Sequence, residues 1–376
     1  MAPISSKHIE ERRENMEERV QCVICNGKLE FLLERVKYPI TASPPQHVFA
    51  EDRFADQRFM VCPQCSCVQL GTLIDPEYLY GSSHNNTSHT HTWKEHHRAF
   101  ANFLGKTDRI LEIGGSGILY PMLSDRMPSL QYACLDICDP IDSLPGITYL
   151  KGNCETFAFP EKSSLVMSHI FEHLYHPRKF LENVRGSLVD SVYISIPNMF
   201  QMLQNNMPYL LHNEHTYYID RYLLEWLFLQ CGFVLAEFYE FQHHSLFFHF
   251  RRKEDATQPY VLESRPHIVE QIHASLRRDD LRFQHVTIQP NSFVIPAGLF
   301  GQFFYYSCAS HNLLGFLDND PSKQNRRVYG TPHWVFPFSK LAEYDACTVY
   351  VFAGPYTAEI VRQLQGISST VEIVEV

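Results

Sequence analysis

The sequence has no apolar run of 18 residues, no internal repeat and no low-complexity tract, and its first 20 residues, rich in Glu and Arg, hold no apolar core of signal-peptide length. Neither a membrane-spanning helix nor a secretory leader is expected on these grounds, and the expected compartment is cytoplasmic, with no membrane partner. Positive charge is also in short supply. With 32 Lys and Arg against 42 Asp and Glu the net charge is -10, and no basic run flanks any motif. A phosphate backbone asks for the opposite balance, so no nucleic-acid partner is expected and a small-molecule acceptor is the simpler reading. What is present suits a soluble enzyme: 376 residues, 45% apolar and 13% aromatic, enough for more than one core and for two or three domains.

The most informative segment is Arg109-Ile-Leu-Glu-Ile-Gly-Gly-Ser-Gly117, followed by Tyr132-Ala-Cys-Leu-Asp136. An apolar run ending at Ile113 predicts a short buried strand, and Gly114, Gly115 and Gly117 let the backbone turn into a helix near Ile118. Asp136 closes the next apolar run, where a carboxylate can take both hydroxyls of a ribose. Tyr120 stands where a dinucleotide fingerprint has its third glycine, and Glu112 would repel a phosphate but suits an amino-acid cofactor. The pattern therefore favours S-adenosylmethionine over NAD. Cys154 and Glu155 follow a third apolar run, where polar groups could reach an adenine, and His169 closes a fourth; both positions are expected at the cofactor. A fifth run ends at Ile196-Pro197-Asn198, helical spacing covers Asp220 to Cys231, and Val234 to Phe241 with Ser245 to Arg252 predict a final hairpin.

Upstream, Cys22-Val-Ile-Cys25 and Cys62-Pro-Gln-Cys65 are separated by 36 residues. Each two-residue spacer lets both sulfurs of a knuckle face one point, so Cys22, Cys25, Cys62 and Cys65 can converge on a structural zinc with no open position for chemistry. Two disulfides and unpaired core cysteines are the competing readings, and for disulfides nothing here indicates secretion. Downstream, Pro266 to Arg278 has helical spacing. From Ser292 a strand, the glycine turn Ala297-Gly298 and a strand ending at Asp318 suggest a second, degenerate Rossmann half, whose bland reading is a domain that covers the site or builds a dimer.

The stretch from the glycine turn to the hairpin resembles a class I S-adenosylmethionine-dependent methyltransferase, on its Glu-x-Gly-x-x-Gly turn, acidic second strand, Glu172-His-x-x-x-Pro177 segment and Ile-Pro-Asn fifth strand. The whole chain resembles the sugar C-methyltransferase family, through the paired knuckles, Val68-Gln-Leu70, Asp75-Pro-Glu77-x-Leu79, Asn213-Glu-His215, His243-His-Ser-Leu246 and Asp318-Asn-Asp-Pro321-x-Lys323-Gln324. That resemblance implies an α/β chain of three parts: a zinc domain over 1-85, a Rossmann-like methyltransferase core over 86-255, and a linker helix with a C-terminal Rossmann-like domain over 256-376. It also implies a nucleotide-linked deoxy-keto-sugar as acceptor. His215 would be the base that removes the proton beside the ketone, with Glu214 or a neighbouring carboxylate orienting it.

Two departures from the family pattern bear on the acceptor. Its Tyr-His-Glu-His is His212-Asn213-Glu214-His215 here, and after Leu79 its Tyr-x-Tyr followed by serines gives way to a segment with histidines at 84, 89, 91, 96 and 97. Those histidines could be a second metal site, phosphate ligands or surface polarity; their spacing matches no metal motif, and some are expected to line the acceptor pocket. His84, Asn86, His212 and His244 are the candidate acceptor contacts. An O- or N-methyltransferase of the same architecture, and a zinc-bearing scaffold with a vestigial cofactor site, are the alternative functions.

Overall fold

The computed structural model describes residues 16-42, 48-80, 91-140, 143-159, 161-205, 213-253, 261-308, 312-367 and 371-376. Its N-terminal part supplies β1 (Met16–Glu18), β2 (Glu30–Pro39), β3 (Phe54–Val61), β4 (Val68–Leu70) and β5 (Thr72–Ile74), with a 3-10 turn at Phe49–Glu51 and a short helix at Pro76–Tyr80. The central part supplies β6 (Arg109–Ile113), β7 (Gln131–Asp136), β8 (Ile147–Lys151), β9 (Ser164–Ser168), β10 (Ser191–Pro197), β11 (Tyr217–Tyr218), β12 (Phe233–Phe241) and β13 (Ser245–Arg252). The C-terminal part adds β14 (Ser292–Ile295), β15 (Gly315–Leu317), β16 (Val335–Phe336), β17 (Cys347–Val351) and β18 (Val371–Glu375).

The central sheet runs β12-β13-β10-β9-β6-β7-β8, parallel from β10 to β8, with β13 antiparallel to both of its neighbours. This is a doubly wound, Rossmann-like arrangement. Its strand order reverses at β6, between β7 and β9, and ligands of such sheets sit beyond the carboxyl ends of the strands at that point. The C-terminal sheet, β16-β15-β14-β17-β18, is wholly parallel and reverses in the same way at β14.

Local sequence explains the elements. Asp220 caps the helix Arg221–Gln230 by accepting from Leu223 N–H at 3.1 Å, and Gly232, at φ +83°, ends it. That helix buries Leu223, Leu224, Leu227 and Phe228 against β13, with Phe228 stacked on Phe250, each side chain worth about 1.5–3 kcal/mol of burial. The hairpin β12-β13 turns through Gln242, His243 and His244, with Gln242 and His243 at positive φ and His244 N–H donating to Phe241 O at 2.8 Å.

The three parts share their cores. Cys22, Ile24 and Cys62 pack in one cluster with Leu227, Phe228 and Phe180 of the central part. Phe59, Val68 and Leu70 pack in another with Val294, Phe303 and Phe304 of the C-terminal part. β11, although carried by the central part, extends the N-terminal sheet by pairing with β4.

Candidate active site and cysteine cluster

At the end of β6 the chain makes the expected turn, with Gly114 at φ +66° and Gly117 at φ +82°. The helix begins at Tyr120, two residues later than the sequence suggests. Glu112, 2% exposed, does not face outward: its Oε2 accepts from Gly117 N–H and Tyr132 Oη–H, both at 3.0 Å, and from the Cys134 thiol at 3.4 Å. Burial raises its pKa, and the Tyr132, Cys134 and Gly117 donors partly offset that. Glu112 thus braces the loop from within. Asp136 stands at the carboxyl end of β7, and its Oδ1 accepts from Cys138 N–H at 2.9 Å.

Three further residues expected at the cofactor are Cys154, Glu155 and His169. The Glu155 carboxylate accepts from His176 N–H, tying the turn after β8 to the helix Pro177–Gly186, and the Cys154 thiol is raised by burial. His169 is held at φ +54° beyond β9, with its Nε2 2.8 Å from Ser245 Oγ. A non-glycine residue in that region is strained, a cost met most often at functional sites.

Around His169 the helix His91–Phe103 presents Trp93, His96 and His97, and the hairpin presents His244. The Trp93 ring lies 4.8 Å from His169, 5.0 Å from His96, 5.1 Å from His244 and 5.6 Å from His97. His96 Nε2 is 2.8 Å from Ser195 Oγ and His244 Nδ1 2.7 Å from Ser245 Oγ, while neither ring nitrogen of His97 has a hydrogen-bond partner among the described residues. Burial lowers His96 to about 2 and His97 and His244 to about 4, and His169 well below its ordinary value. These imidazoles are neutral at physiological pH. Two of the five histidines flagged in the sequence, His96 and His97, therefore enter the interior; His84, Asn86 and His212 fall outside the described residues.

His215 is 5% exposed. Glu214, its expected orienting partner, accepts instead from Thr41 Oγ1 at 3.2 Å, and Asn213 Nδ2 donates to Pro39 O and Ile40 O at 3.1 and 3.3 Å. The carboxylate beside His215 is Glu172, whose Oε1 lies 3.9 Å from His215 Nε2 and 4.0 Å from His173 Nε2. Tyr80 Oη is 2.9 Å from His173 Nδ1, so a phenol is present although the family's tyrosine is replaced at His212. Glu172, His173, Tyr80 and Trp93 are the site residues sequence reasoning missed. The Glu-His-x-x-x-Pro segment was the signal for the first two.

The His215 loop is also where the three parts of the chain meet. Arg19 Nη1 donates to Thr216 O at 2.6 Å and its Nη2 to Tyr175 O at 2.9 Å, while Gln302 Nε2 donates to Thr41 O at 2.9 Å and Tyr329 O at 2.7 Å. Arg19 just after β1, Thr41 just after β2, Tyr175 of the central part and Gln302 of the helix Leu299–Ser307 are thereby tied together around this loop.

Solved structures that this fold resembles include methyltransferases. An S-adenosylmethionine-dependent methyltransferase from Mesorhizobium loti is 14% identical, with 44% of this chain and 100% of that one covered at a TM-score of 0.35. Human N-acetylserotonin methyltransferase, in complex with S-adenosylmethionine, is 12% identical, with 43% and 52% covered at 0.37. Scores this low carry no argument, and the fold stands on its own strand order. No family model matches the sequence, and no curated protein matches it.

The four knuckle cysteines do converge. Their sulfurs lie within 4.8 Å of one another, with Cys22 to Cys65 and Cys25 to Cys62 at 3.5 Å. That is too long for a disulfide, whose sulfurs stand about 2 Å apart, and close to the roughly 3.8 Å edge of a tetrahedron of thiolates at about 2.3 Å from a metal. Each knuckle turns back through a residue at positive φ just after its second cysteine, Asn26 and Ser66, whose N–H groups donate to Cys22 O and Cys62 O. Ile24 N–H also points at Cys22 Sγ, 3.4 Å away. Among the described residues, no helix is long and apolar enough to cross a membrane.

Proposed function

We propose that the protein is an S-adenosylmethionine-dependent methyltransferase acting on a nucleotide-linked sugar, transferring methyl to a carbon beside a ketone with His215 as base. The observation that carries the cofactor part is the loop at the switch point. Gly115 leaves no room for a Cβ, Gly114 and Gly117 hold positive φ, and Asp136 stands on the neighbouring strand end, the layout a nucleoside cofactor needs. Gly114, Gly115, Gly117 and Asp136 would hold the cofactor, with Glu112 bracing the loop and His169 beyond the adjacent strand. When bound, S-adenosylmethionine supplies an electrophilic sulfonium methyl. Zinc on Cys22, Cys25, Cys62 and Cys65 is structural in this reading, and the division at residues 85 and 255 follows the sequence motifs.

The chain's own residues supply the rest. His215, buried but beside a small cavity lined by Glu172, Ile196 and Pro197, takes the proton from the acceptor carbon, and the carbanion is stabilised as an enolate by nearby donors, Tyr80 and His173 among them. The surrounding neutral imidazoles and Trp93 exclude water and present ring faces and nitrogens to a polar, uncharged ring.

The test is incubation with isotopically labelled S-adenosylmethionine and a panel of nucleoside-diphosphate deoxy-keto-sugars in deuterated water. Label in product on carbon, with deuterium uptake beside the ketone that His215→Ala removes, is the expected result. Label on oxygen or nitrogen with no C–H exchange would replace carbon methylation by the alternative reading.

A further inference from the structure

Glu172 is 3% exposed, and neither of its carboxylate oxygens has a hydrogen-bond partner among the described residues. Such a group is costly to bury, and its surroundings say what it serves. Its Oε1 lies 3.6 Å from His169 Nδ1, 4.0 Å from His173 Nε2 and 3.9 Å from His215 Nε2, so three imidazoles face one oxygen, each just beyond hydrogen-bond length. The His215 loop is locked onto this turn by the backbone, since Thr216 N–H donates to Glu172 O at 3.1 Å. A cavity of about 20 Å³ lined by Glu172, His215, Pro197 and Tyr217 adjoins the pair, room for a single water.

We propose that Glu172, rather than Glu214, is the positioning residue for His215: its carboxylate holds the proton on Nε2 and leaves Nδ1 as the nitrogen that receives the acceptor's proton. The assignment rests on the methyltransferase reading above and deepens it. A carboxylate accepts from an imidazole N–H, fixes the tautomer and stabilises the imidazolium that forms, and Glu214 accepts from Thr41 Oγ1 at 3.2 Å. The present 3.9 Å is longer than a hydrogen bond, as such contacts often are before the acceptor binds, and either a small closure or one bridging water completes it. In the step itself the acceptor C–H bond breaks and its proton goes to His215 Nδ1. The electron pair is held as enolate; bound S-adenosylmethionine would supply the methyl that this carbon takes, the methyl–sulfur bond pair remaining on sulfur. The proton then leaves His215 for solvent.

The arrangement sets a pH dependence. Facing Glu172 are His169, His173 and His215, with Tyr80 beyond His173 and Tyr217 behind. Burial raises Glu172 to about 8 and pushes His169 well down, so neither neutralises the other at pH 7. Below about 8 Glu172 is a neutral acid and does not hold the His215 tautomer; above it the carboxylate does.

The experiment is nitrogen NMR of the full-length, zinc-loaded protein labelled at histidine, with His215 identified by the signal that His215→Gln removes. Between pH 7 and 9 His215 is expected to move to the Nε2–H tautomer with a midpoint near 8. Glu172→Gln should abolish the movement, and Glu172→Asp and Glu214→Gln should retain it. With a nucleoside-diphosphate keto-sugar as probe, Glu172→Gln should slow C–H exchange roughly 100-fold, the size of a general-base contribution, with KM little changed. A midpoint unaltered in Glu172→Gln, or lost in Glu214→Gln, overturns the assignment; if Glu172→Gln does not fold, loss of the movement in Glu172→Asp does so. A second bound zinc that Glu172→Gln removes would overturn it too, placing a metal where the proton is assigned. Calorimetric binding of S-adenosylhomocysteine reports on the underlying methyltransferase reading separately, because Glu172 lies outside the glycine loop.

Discussion

A Cβ on Gly115 would stand 2.1 Å from Glu112 Cδ and 2.3 Å from its Oε1. The loop's shape and the buried carboxylate are therefore one device: Glu112 can brace Gly117 only because residue 115 has no side chain. Gly115→Ala is expected to displace Glu112, lower stability by about 1–3 kcal/mol and weaken S-adenosylhomocysteine at least about tenfold. Thermal denaturation and calorimetry on the variant check both, and unchanged affinity would mean the loop does not hold the cofactor.

The knuckles share a core with Leu227 and Phe228, so metal loss should reach beyond the N-terminal sheet. Elemental analysis should give one zinc per chain, reduced in Cys62→Ser, and stripping the metal should lower the melting temperature of the whole protein. Full thermal stability in metal-free protein would contradict a structural zinc.

Stability should fall in mild acid. The folded chain holds His97 and His244 near 4 and His96 near 2, below the ordinary histidine value, so between about 6.5 and those values the unfolded chain binds more protons. The contribution is fully present above about 6.5 and is lost as pH falls toward 4. Replacing His97, whose ring nitrogens have no partner among the described residues, by Leu should remove about 3 kcal/mol of that slope, measured by urea unfolding at several pH values.

Arg327 meets Asp52 in a buried bidentate pair at 2.9 and 3.0 Å, joining the N-terminal and C-terminal parts. Asp52→Ala leaves the guanidinium buried and uncompensated, and a loss of about 3–5 kcal/mol is expected in chemical denaturation. A loss below about 1 kcal/mol would show that water reaches the pair.

Much of the central sheet was legible because each strand is an apolar run closed by a turn residue: Ile113 before Gly114, Asp136, Ser168 before His169, Pro197. The four-thiolate cluster was legible from spacing alone. What the sequence hid was distance across the fold. Glu172 and His215 are 43 residues apart, so a reading that names Glu214 or a neighbouring carboxylate as the orienting group has no means of finding Glu172. Glu155 reads as a cofactor contact by position, yet its carboxylate reaches His176 N–H because the turn after β8 folds back on the next helix. His96 and His97 read as surface polarity or ligands, and only the face of the helix His91–Phe103 decides that they are interior. Pairing of β11 with β4 is likewise invisible locally, since a two-residue strand carries no periodicity.

The most direct test of the central claim is calorimetric titration of the zinc-loaded protein with S-adenosylhomocysteine, repeated on Asp136→Ala. Micromolar binding that falls by about 10- to 100-fold or more in the variant, as loss of charge-assisted hydrogen bonds to a ribose predicts, is the expected result. No binding to the well-folded protein, or binding indifferent to Asp136, would contradict the cofactor site and the methyltransferase reading with it.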